Sequence, residues 1–327
     1  MPLPLQPPVE PQLARGKPEL PTGDGWCFEP KYDGFRAIAF VDGADVYLQS
    51  RGSRPLLRYF PELVFPQGRY VIDGEIVIDA TGVNGDGGVD AGAGSQDFGA
   101  LQQRLHPAAS RVAMLAEQTP ARFVAFDLLA DGDELLLERP FAERRVRLAT
   151  IALDGSSVSL TPLVLSAAEA EPWLESCEGV VAKEVGAPYR PGKRLGMVKV
   201  KRVRTIDAVV LGYRPGKEPG TVGSLMLGLY DPSGVLHVVG HTSGLKAREK
   251  RELVATLAPY ETGERGSADP SRWDTDRELE WIALRPDLVV EVTYDHASGG
   301  RIRHGTKIVR WRDDKPPHDC LLSQMTH

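Results

Sequence analysis

The sequence predicts an α+β protein with two domains. A mixed domain of antiparallel sheets and flanking helices is expected over residues 1–204, and a small β-barrel over residues 205–327. The 327 residues, 42% of them apolar, suffice for two packed cores. Strand-like segments with a few helical segments fill the first part. Five short strand-like segments and one helical segment fill the second, which is the content of a small closed barrel.

Several other classes of protein do not fit the composition. No apolar run approaches the roughly 18 residues of a membrane span, and the start, MPLPLQPPVEPQLARGK, lacks the basic and apolar segments of a signal peptide. The isolated cysteines Cys27, Cys177 and Cys320 cannot form a zinc quartet or a disulfide framework, so we expect them in the core. These features predict a protein of the reducing cytoplasm with no membrane association.

The first domain begins with a proline-rich, aperiodic lead-in over residues 1–24. Val41-Asp42-Gly43-Ala44 predicts a hairpin turn, and the six glycines of residues 80–97 predict a surface loop of unassigned role. Predicted strands and helices fill the rest of the domain, and the last two helices are amphipathic. The strands are Trp26–Pro30, Phe35–Phe40, Asp45–Gln49, Tyr70–Ile78, Phe123–Leu129, Gly179–Lys183 and Met197–Lys201; the helices are Asp97–His106, Ala108–Glu117, Arg139–Ile151 and Ala167–Ser176.

After Arg204 the chain consists of short strands with turn residues between them. Five strands with one helix in about 120 residues suit a closed barrel of the OB type. The predicted strands are Ile206–Tyr213, Ser224–Tyr230, Val235–Gly240, Leu288–Thr293 and Lys307–Arg312, and the predicted helix is Leu245–Leu257.

The net charge of −6 does not indicate a nucleic-acid-binding protein, but local charge does not follow the total. Residues 183–204 hold eight basic residues against one acid, Glu184. A solvated surface is the simpler interpretation of such a run, and a groove for phosphates is the other.

The segment Glu29-Pro30-Lys31-Tyr32-Asp33-Gly34-Phe35-Arg36 carries the strongest chemical signal. A lysine between two strands, followed by an acid and a glycine, can serve as a covalent nucleophile when nearby cations and partial burial favour its neutral amine. Arg36, Lys199 and Lys201 are candidates for those cations. The alternative is an exposed turn lysine.

Six further motifs follow in order along the chain. They are Ser50-Arg51-Gly52, Asp73-Gly74-Glu75, Ala125-Phe126-Asp127, Glu178-Gly179-Val180-Val181-Ala182-Lys183, Met197-Val198-Lys199-Val200-Lys201 and Arg310-Trp311-Arg312-Asp313-Asp314-Lys315-Pro316. In order and spacing the set resembles the covalent nucleotidyltransferases, and specifically the ATP-dependent DNA ligases of the short bacterial type. It is also similar to the ligase module of the bacterial end-joining ligase. The resemblance spans residues 29–316 and implies a nucleotidyltransferase (adenylation) domain followed by an OB domain.

The resemblance implies that Lys31 becomes AMP-lysine and passes AMP to a DNA 5′-phosphate. The DNA 3′-hydroxyl then attacks that phosphate and expels AMP. ATP and Mg²⁺ (or Mn²⁺) are the implied cofactors. The resemblance implies adenine contact by Glu29, adenine stacking by Phe126, and phosphate or ribose contact by Arg36 and Arg51. It implies ribose and metal contact by Glu75 and Glu178, and nucleotide phosphate contact by Lys193 and Lys199, with Lys201 as a further motif lysine of the ATP site. Arg312 and Lys315 are implied to orient pyrophosphate.

The implied partner is duplex DNA with a nick or a break, in DNA repair and recombination, with Ku or a repair polymerase as candidate protein partners. We expect a monomer that contacts DNA phosphates through Arg202, Arg204, Arg301 and Arg303. Three features depart from the family pattern. Gly52 replaces a frequent asparagine, and Met197-Val198 replaces a frequent aromatic. With roughly 30 residues ahead of Lys31, we also expect no helical DNA-binding domain of the kind that larger ligases carry there.

Two other functions stay open at this point. An RNA ligase or an mRNA-capping guanylyltransferase would use the same lysine chemistry, and the nucleotide that labels the protein would separate them. An OB-type DNA-binding protein with a degenerate transferase domain is the second, although Lys31, Glu75, Glu178 and Lys199 are all intact. A NAD-dependent bacterial ligase is disfavoured because that family carries a four-cysteine zinc site.

Overall fold

The computed structural model describes residues 2–80, 96–151, 157–201, 204–268, 279–294, 297–298, 300–302 and 305–325. It divides into two compact units, Met1–Arg202 and Val203–His327. The sequence-based division stands two residues further along the chain, between 204 and 205. Among the described residues, no helix combines the length and the hydrophobicity that crossing a membrane requires.

The first unit alternates strands and short helices. Its strands are β1 (Arg15–Gly16), β2 (Trp26–Pro30), β3 (Phe35–Gly43), β4 (Asp45–Ser50), β5 (Gly68–Val77), β6 (Arg122–Asp131), β7 (Glu134–Leu135), β8 (Val158–Leu160), β9 (Gly179–Glu184) and β10 (Met197–Lys201); its helices are α1 (Phe98–Gln103), α2 (Ala109–Gln118), α3 (Phe141–Leu148) and α4 (Ala167–Ser176).

These strands form two sheets. One has the order β4-β3-β5-β6-β7, with β8 added parallel to β6, and the other has the order β1-β10-β9-β2. Along β3, Ala37, Ala39 and Val41 face the main core, while Ile38 and Phe40 face a second cluster on the opposite side. Because both faces are covered, β3 is apolar almost without interruption rather than alternating. Each large apolar side chain buried in this way contributes about 1.5–3 kcal/mol.

The second unit is mostly β-structure. Its strands are β11 (Arg204–Pro215), β12 (Val222–Tyr230), β13 (Leu236–His241), β14 (Glu261–Ala268), β15 (Leu279–Leu284), β16 (Val289–Tyr294), β17 (Ala297–Ser298), β18 (Arg301–Ile302) and β19 (Lys307–Trp311), and its helix is α5 (Ala247–Leu257).

Five strands of this unit form a ring of the OB type. β13, β12, β11, β16 and β19 pair in that order, and a bridge between Thr242 and Thr306 joins the two ends. They are the five strands that the sequence predicts, so the predicted α+β class with a C-terminal OB-type barrel is confirmed.

The hairpin of β14 and β15 is an element that the sequence did not predict. It extends the sheet beyond the ring, because Gly212 and Tyr213 of β11 pair with Ala283 and Ile282 of β15. The letters of β14, ETGERGSA, are polar and contain two glycines. They therefore lack the apolar alternation by which strands are recognised.

Several predicted bounds shift for local reasons. Helix α1 begins at Phe98 rather than Asp97, because the Asp97 side chain caps the helix by accepting from the Ala100 N–H at 2.8 Å. Helix α3 spans Phe141–Leu148 instead of Arg139–Ile151, and Pro140 lies at its N-cap. The predicted hairpin forms, but its turn lies one residue further along the chain than 41–44, because Asp42 pairs with Asp45 and Gly43-Ala44 lie between them. Most of the predicted loop 80–97 lies outside the described residues.

Candidate active site

A cavity of about 270 Å³ lies in the first unit, beside the Lys31 segment. This is close to the lower end of the volumes of small-molecule pockets, roughly 300–1,000 Å³. Cations exceed carboxylates in its lining, which suits a polyanionic ligand. The lining cations are Lys31, Arg36, Arg51, Lys183, Arg194 and Lys199, and the lining carboxylates are Glu29 and Glu75.

Lys31 lies at the end of β2, where two motif glycines allow the backbone to approach closely. A Cβ at Gly34 would collide with the Ile76 carbonyl oxygen, and a Cβ at Gly179 would collide with that of Val200. Gly179 also has a φ of 146°, which few other residues adopt. The Lys31 N–H donates to the Gly179 carbonyl at 2.9 Å, so the lysine is fixed to the start of β9.

The side chain of Lys31 forms an ion pair with Glu178. Lys31 Nζ donates to Glu178 Oε2, and Lys201 Nζ lies 2.8 Å from Glu178 Oε1. Burial alone would raise the pKa of Glu178, but Lys31 and Lys201 outweigh it and lower that pKa. Glu178 is therefore a carboxylate held between two lysines, one of which is the predicted nucleophile.

A buried hydrogen-bond network orients Arg36. Its Nε and Nη2 donate to the two oxygens of Asp73 at 2.6 Å each, and the Asp73 side chain is fully buried. Tyr189 donates its hydroxyl to Asp73 at 2.6 Å and accepts the Gln12 N–H at 2.9 Å. Burial would lower the pKa of Arg36, but Asp73 more than offsets this and raises it. The guanidinium is thus held by a bidentate pair.

Phe126 lies on β6 between two cations. The Arg36 guanidinium lies 4.4 Å from the ring centroid, and Lys183 Nζ lies 4.7 Å from it. Both distances are within cation–π range. A base that stacks on Phe126 would have to share or displace the Arg36 contact.

Glu29 is buried in the cavity wall and pairs with Lys183. Lys183 Nζ lies 2.7 Å from Glu29 Oε2 and donates to the Phe126 carbonyl at 2.9 Å. Burial raises the pKa of Glu29 in spite of Lys183. Glu29 Oε1 has no hydrogen-bond partner among the described residues. A buried acceptor of this kind favours a ligand that brings a donor to it.

Glu75 lies directly opposite Arg36 in the pairing of β5 with β3. Burial raises the pKa of Glu75 to about 7, opposed by Arg36 and Lys31 and assisted by the negative charges of Asp73 and Glu178. The described residues contain no group of three or more histidine, cysteine, aspartate or glutamate side chains arranged to hold a metal ion. Two carboxylates that repel each other still fit Mg²⁺, which takes one or two carboxylates together with substrate phosphates and water.

The predicted phosphate-contacting lysines occupy different places. Lys199 lines the cavity, and burial, assisted by the charges of Lys31 and Lys201, lowers its pKa. Lys193 is exposed and does not line the cavity, whereas its neighbour Arg194 does. The backbone carbonyl of Lys193 accepts the Leu13 N–H at 2.9 Å.

The lead-in is a part of the cavity that sequence reasoning missed. Residues 11–14 and Gly16 line it, and β1 pairs in parallel with β10. Gln12 is 2% exposed; its side chain accepts the Arg190 N–H at 3.1 Å and donates to the Leu195 carbonyl. The only signal in the sequence is a polar glutamine between apolar neighbours in a proline-rich stretch, and it carries no periodicity.

The basic run at 183–204 does not form one surface. Lys183 is 3% exposed and paired with Glu29, so it belongs to the cavity wall and not to a solvated basic surface. Arg190 pairs with the Glu138 carboxylate. Arg204 begins β11 and is half-buried, and Arg301 on β18 is exposed. The two remaining predicted DNA contacts, Arg202 and Arg303, lie outside the described residues.

The predicted pyrophosphate-orienting cations lie together in the second unit. Arg312 follows β19 directly, and Lys315 lies one turn further on. Both side chains bind one carboxylate, that of Asp207 on β11, at 2.8–3.0 Å.

Two protein-family models match the chain. Residues 17–201 match the ATP dependent DNA ligase domain, and residues 218–315 match the ATP dependent DNA ligase C terminal region. The first match contains Lys31 and most of the cavity lining, and the second contains β12, β13, β16 and β19 of the OB-type barrel.

Individual proteins are similar over nearly the whole length. The chain is 43% identical to DNA ligase C1 of Mycolicibacterium smegmatis, over 99% of this chain and 96% of that protein. It is 31% identical to the multifunctional non-homologous end joining DNA repair protein LigD of Mycobacterium tuberculosis, over 90% of this chain and 37% of that protein. A solved structure of mycobacterial DNA ligase D complexed with ATP and MES matches with a TM-score of 0.51 and 29% identity, over 96% of this chain and 98% of that one. With this lysine-centred cavity, this barrel and these relatives, the chain belongs to the ATP-dependent DNA ligase family.

Proposed function

We propose that this chain seals nicks or breaks in duplex DNA with ATP, in DNA repair. The Lys31 amine attacks the α-phosphorus of ATP, so that a P–N bond forms while the bond to the β-phosphate oxygen breaks and pyrophosphate leaves. A DNA 5′-phosphate oxygen then attacks the phosphorus of AMP-lysine, so that a P–O bond forms, the P–N bond breaks, Lys31 is released as an amine and AMP stays on the DNA. The 3′-hydroxyl attacks the DNA phosphorus, forms the phosphodiester bond and releases AMP.

The observation that carries this proposal is the position of Lys31 on the wall of a cation-rich cavity, in contact with Glu178. An ammonium nitrogen that donates to a carboxylate has no lone pair for attack. The ammonium must therefore lose a proton, to Glu178 or to solvent, before the amine reacts with phosphorus.

The cavity offers a place for each part of the nucleotide. We propose that Glu29 Oε1, which has no hydrogen-bond partner among the described residues and lies 4.0 Å from Arg145 Nε, accepts from the adenine amino group, and that Phe126 stacks on the base. We assign Arg36, Arg51 and Lys199 to the phosphates and the ribose, because they line the same cavity. Lys201 acts beside them through Glu178, and Lys193 keeps the predicted phosphate contact although it lies outside the lining.

We assign Mg²⁺ to Glu75 and Glu178. The raised pKa of Glu75, to about 7, reflects burial next to other negative charges, an arrangement that a cation would relieve. When bound, the ion supplies neutralisation of the charge that develops on the triphosphate. Arg312 and Lys315 then serve to orient pyrophosphate.

We propose that Arg202, Arg204, Arg301 and Arg303 bind DNA phosphates. The similarity to a non-homologous end joining protein supports broken ends as a substrate, with Ku or a repair polymerase as the partner that holds them. The bacterial cytoplasm and the monomeric state stay predictions.

The test is incubation of the full chain with α-labelled ATP, Mg²⁺ and nicked duplex DNA, with the label followed over time. We expect label first on the protein, then on the DNA 5′-end, and then in free AMP as the nick closes. Parallel reactions with labelled GTP and with nicked RNA distinguish a capping enzyme and an RNA ligase. Labelling by GTP alone, or sealing of RNA alone, would contradict the proposal.

A further inference from the structure

Arg312 and Lys315 share one carboxylate in the second unit. Arg312 Nη1 donates to both oxygens of Asp207, at 2.9 and 3.0 Å, and Lys315 Nζ donates to Oδ2 at 2.8 Å. The three side chains are 18%, 23% and 13% exposed for Arg312, Lys315 and Asp207 respectively. A largely buried carboxylate thus links two cations that would otherwise repel each other.

The strand register explains this contact. Asp207 of β11 pairs with Glu291 of β16, which pairs in turn with Arg310 of β19. Arg312 lies two residues beyond Arg310, and its N–H donates to the Val289 carbonyl at 2.9 Å. Arg312 and Lys315, which follow β19, are therefore held close to Asp207 of β11 across the intervening strand β16.

Asp207 is itself fixed by the C-terminal turn Leu322–Met325. Gln324 accepts the Asp207 N–H through Oε1 at 3.0 Å and donates through Nε2 to the Asp207 carbonyl at 3.1 Å. One side chain thus holds both backbone groups of Asp207. The position of the shared carboxylate does not depend on Arg312 and Lys315 alone.

A second carboxylate differs from Asp207 in its surroundings. Asp314 accepts from Nε and Nη2 of Arg312 at 2.8 and 2.9 Å, but its side chain is 68% exposed. Asp314 therefore orients only the Arg312 guanidinium, from the solvent side, and not Lys315. Only Asp207, among the described residues, contacts both cations.

We propose that Asp207 is a positioning residue for the first chemical step. Its carboxylate, fixed by Gln324, aligns Arg312 and Lys315 so that they act together on pyrophosphate. This inference rests on the proposed function, in which those two cations orient pyrophosphate while AMP passes to Lys31. It predicts that Asp207 matters only when pyrophosphate is present as a leaving group or as a reactant.

The test uses the full chain with Asp207→Asn, which keeps the shape of the side chain and removes its charge. We expect the rate of Lys31 adenylation by ATP, and the rate at which pyrophosphate discharges the adenylated protein, to fall by about tenfold or more, as for a lost charge-assisted hydrogen bond. The maximal rate should fall rather than the KM for ATP rise, because the proposal has Asp207 act through Arg312 and Lys315 on the pyrophosphate as it departs. Sealing of DNA that is already adenylated should stay unchanged.

Glu291→Gln is the matched control. It removes the carboxylate next to Asp207 on the neighbouring strand, where it pairs with the exposed Arg310 at 2.6 Å. All three rates should stay at the level of the unsubstituted chain. Asp207→Glu, which restores the charge, should recover part of the adenylation rate, and thermal unfolding should show that each variant is folded.

Three results would overturn the assignment. Equal loss of all three reactions in Asp207→Asn would show a structural role. Faster adenylation would show that Asp207 competes with pyrophosphate for the two cations. Unchanged adenylation and unchanged pyrophosphate discharge would show that the cations do not depend on it. Failure of the proposed function is distinct, because the unsubstituted chain would then acquire no label from ATP.

Discussion

Lys31 is the residue on which the chemistry depends, and its contact with Glu178 gives the first prediction. Lys31→Ala should abolish transfer of label from ATP to the protein, because the amine is the only atom that can form the P–N bond in the proposed reaction. The fold should survive, since the Lys31 side chain is 20% exposed and its N–H bond to Gly179 is a backbone contact.

The measurement is labelling of the protein by α-labelled ATP, with circular dichroism as the check on folding. Lys17→Ala is a matched control, because Lys17 is exposed on the chain just after β1. A labelled adduct that survives in Lys31→Ala would place the nucleophile elsewhere.

Glu75 predicts a dependence of stability on pH. Its pKa in the folded protein is about 7, against an ordinary value of 4.5, so folding takes up a proton between these values. The neutral carboxyl therefore contributes to the free energy of unfolding below pH 4.5, and this contribution is lost as the pH rises through 7. Glu75→Gln should remove this loss, so the variant should gain up to about 3 kcal/mol in free energy of unfolding relative to the unsubstituted chain at pH 8, and little at pH 5.

Urea unfolding of both proteins at the two pH values measures this difference. Glu117→Gln, at an exposed position of α2, should show no pH-dependent difference. An equal difference for Glu75→Gln at pH 5 and pH 8 would contradict the raised pKa.

At the scale of elements, the lead-in is attached to the cavity through the Gln12–Tyr189–Asp73 network. Tyr189→Phe removes one donor from the buried Asp73 and one acceptor from the Gln12 N–H. We expect a loss of about 1–3 kcal/mol in stability. We also expect slower adenylation, because Arg36 loses part of its alignment.

Urea unfolding and the rate of labelling by ATP measure the two effects. Tyr47→Phe is the control, because Tyr47 is 37% exposed and takes no part in the hydrogen bonds of this network. If Tyr189→Phe loses stability while Lys31 labels at the normal rate, the network supports the fold without serving the cavity.

At the scale of the whole molecule, the first unit has a core of its own and contains the Lys31 cavity. Removing residues 203–327 should cripple adenylation by ATP, because Arg312 and Lys315 are lost with the second unit. Closing of DNA that is already adenylated does not use pyrophosphate, so we expect it to weaken only because Arg204, Arg301 and Arg303 are lost, and to recover at high DNA concentration. Labelling at the full rate by the truncated chain would refute the role of these cations.

Because the net charge of the chain is −6, DNA binding must depend on a few local contacts between basic residues and phosphates. Contacts to phosphates release counterions, so affinity should fall with salt by a slope of about −0.9 per contact on duplex DNA. Sealing should be much better below roughly 50 mM salt than above roughly 200 mM, or should need a partner that holds the ends.

Charge reversal at Arg202 and Arg204 tests where these contacts lie. Affinity for nicked DNA and the salt slope should both decrease, while labelling of Lys31 by ATP stays nearly unchanged. Titration of labelled DNA at several salt concentrations gives both quantities. Loss of labelling with DNA affinity preserved would assign these arginines to the nucleotide cavity.

The sequence by itself determined the family, the chemistry and most elements. β2 and α4 have the predicted bounds, and the five strands of the ring were all predicted, because apolar periodicity is a local property of the chain. The residue types around Lys31 follow from what phosphoryl chemistry needs. The elements and the residue types of the site could therefore be predicted from the sequence.

Only the tertiary structure decided which polar groups meet. Lys183 was counted with the basic run, but it lies opposite Cys27 of β2 and turns into the core towards Glu29. Gln12 lines the cavity from a stretch without periodicity, and Asp207 lies 105 residues from Arg312, to which it binds. Such contacts depend on strand register and on close approach between distant segments, which local patterns do not encode.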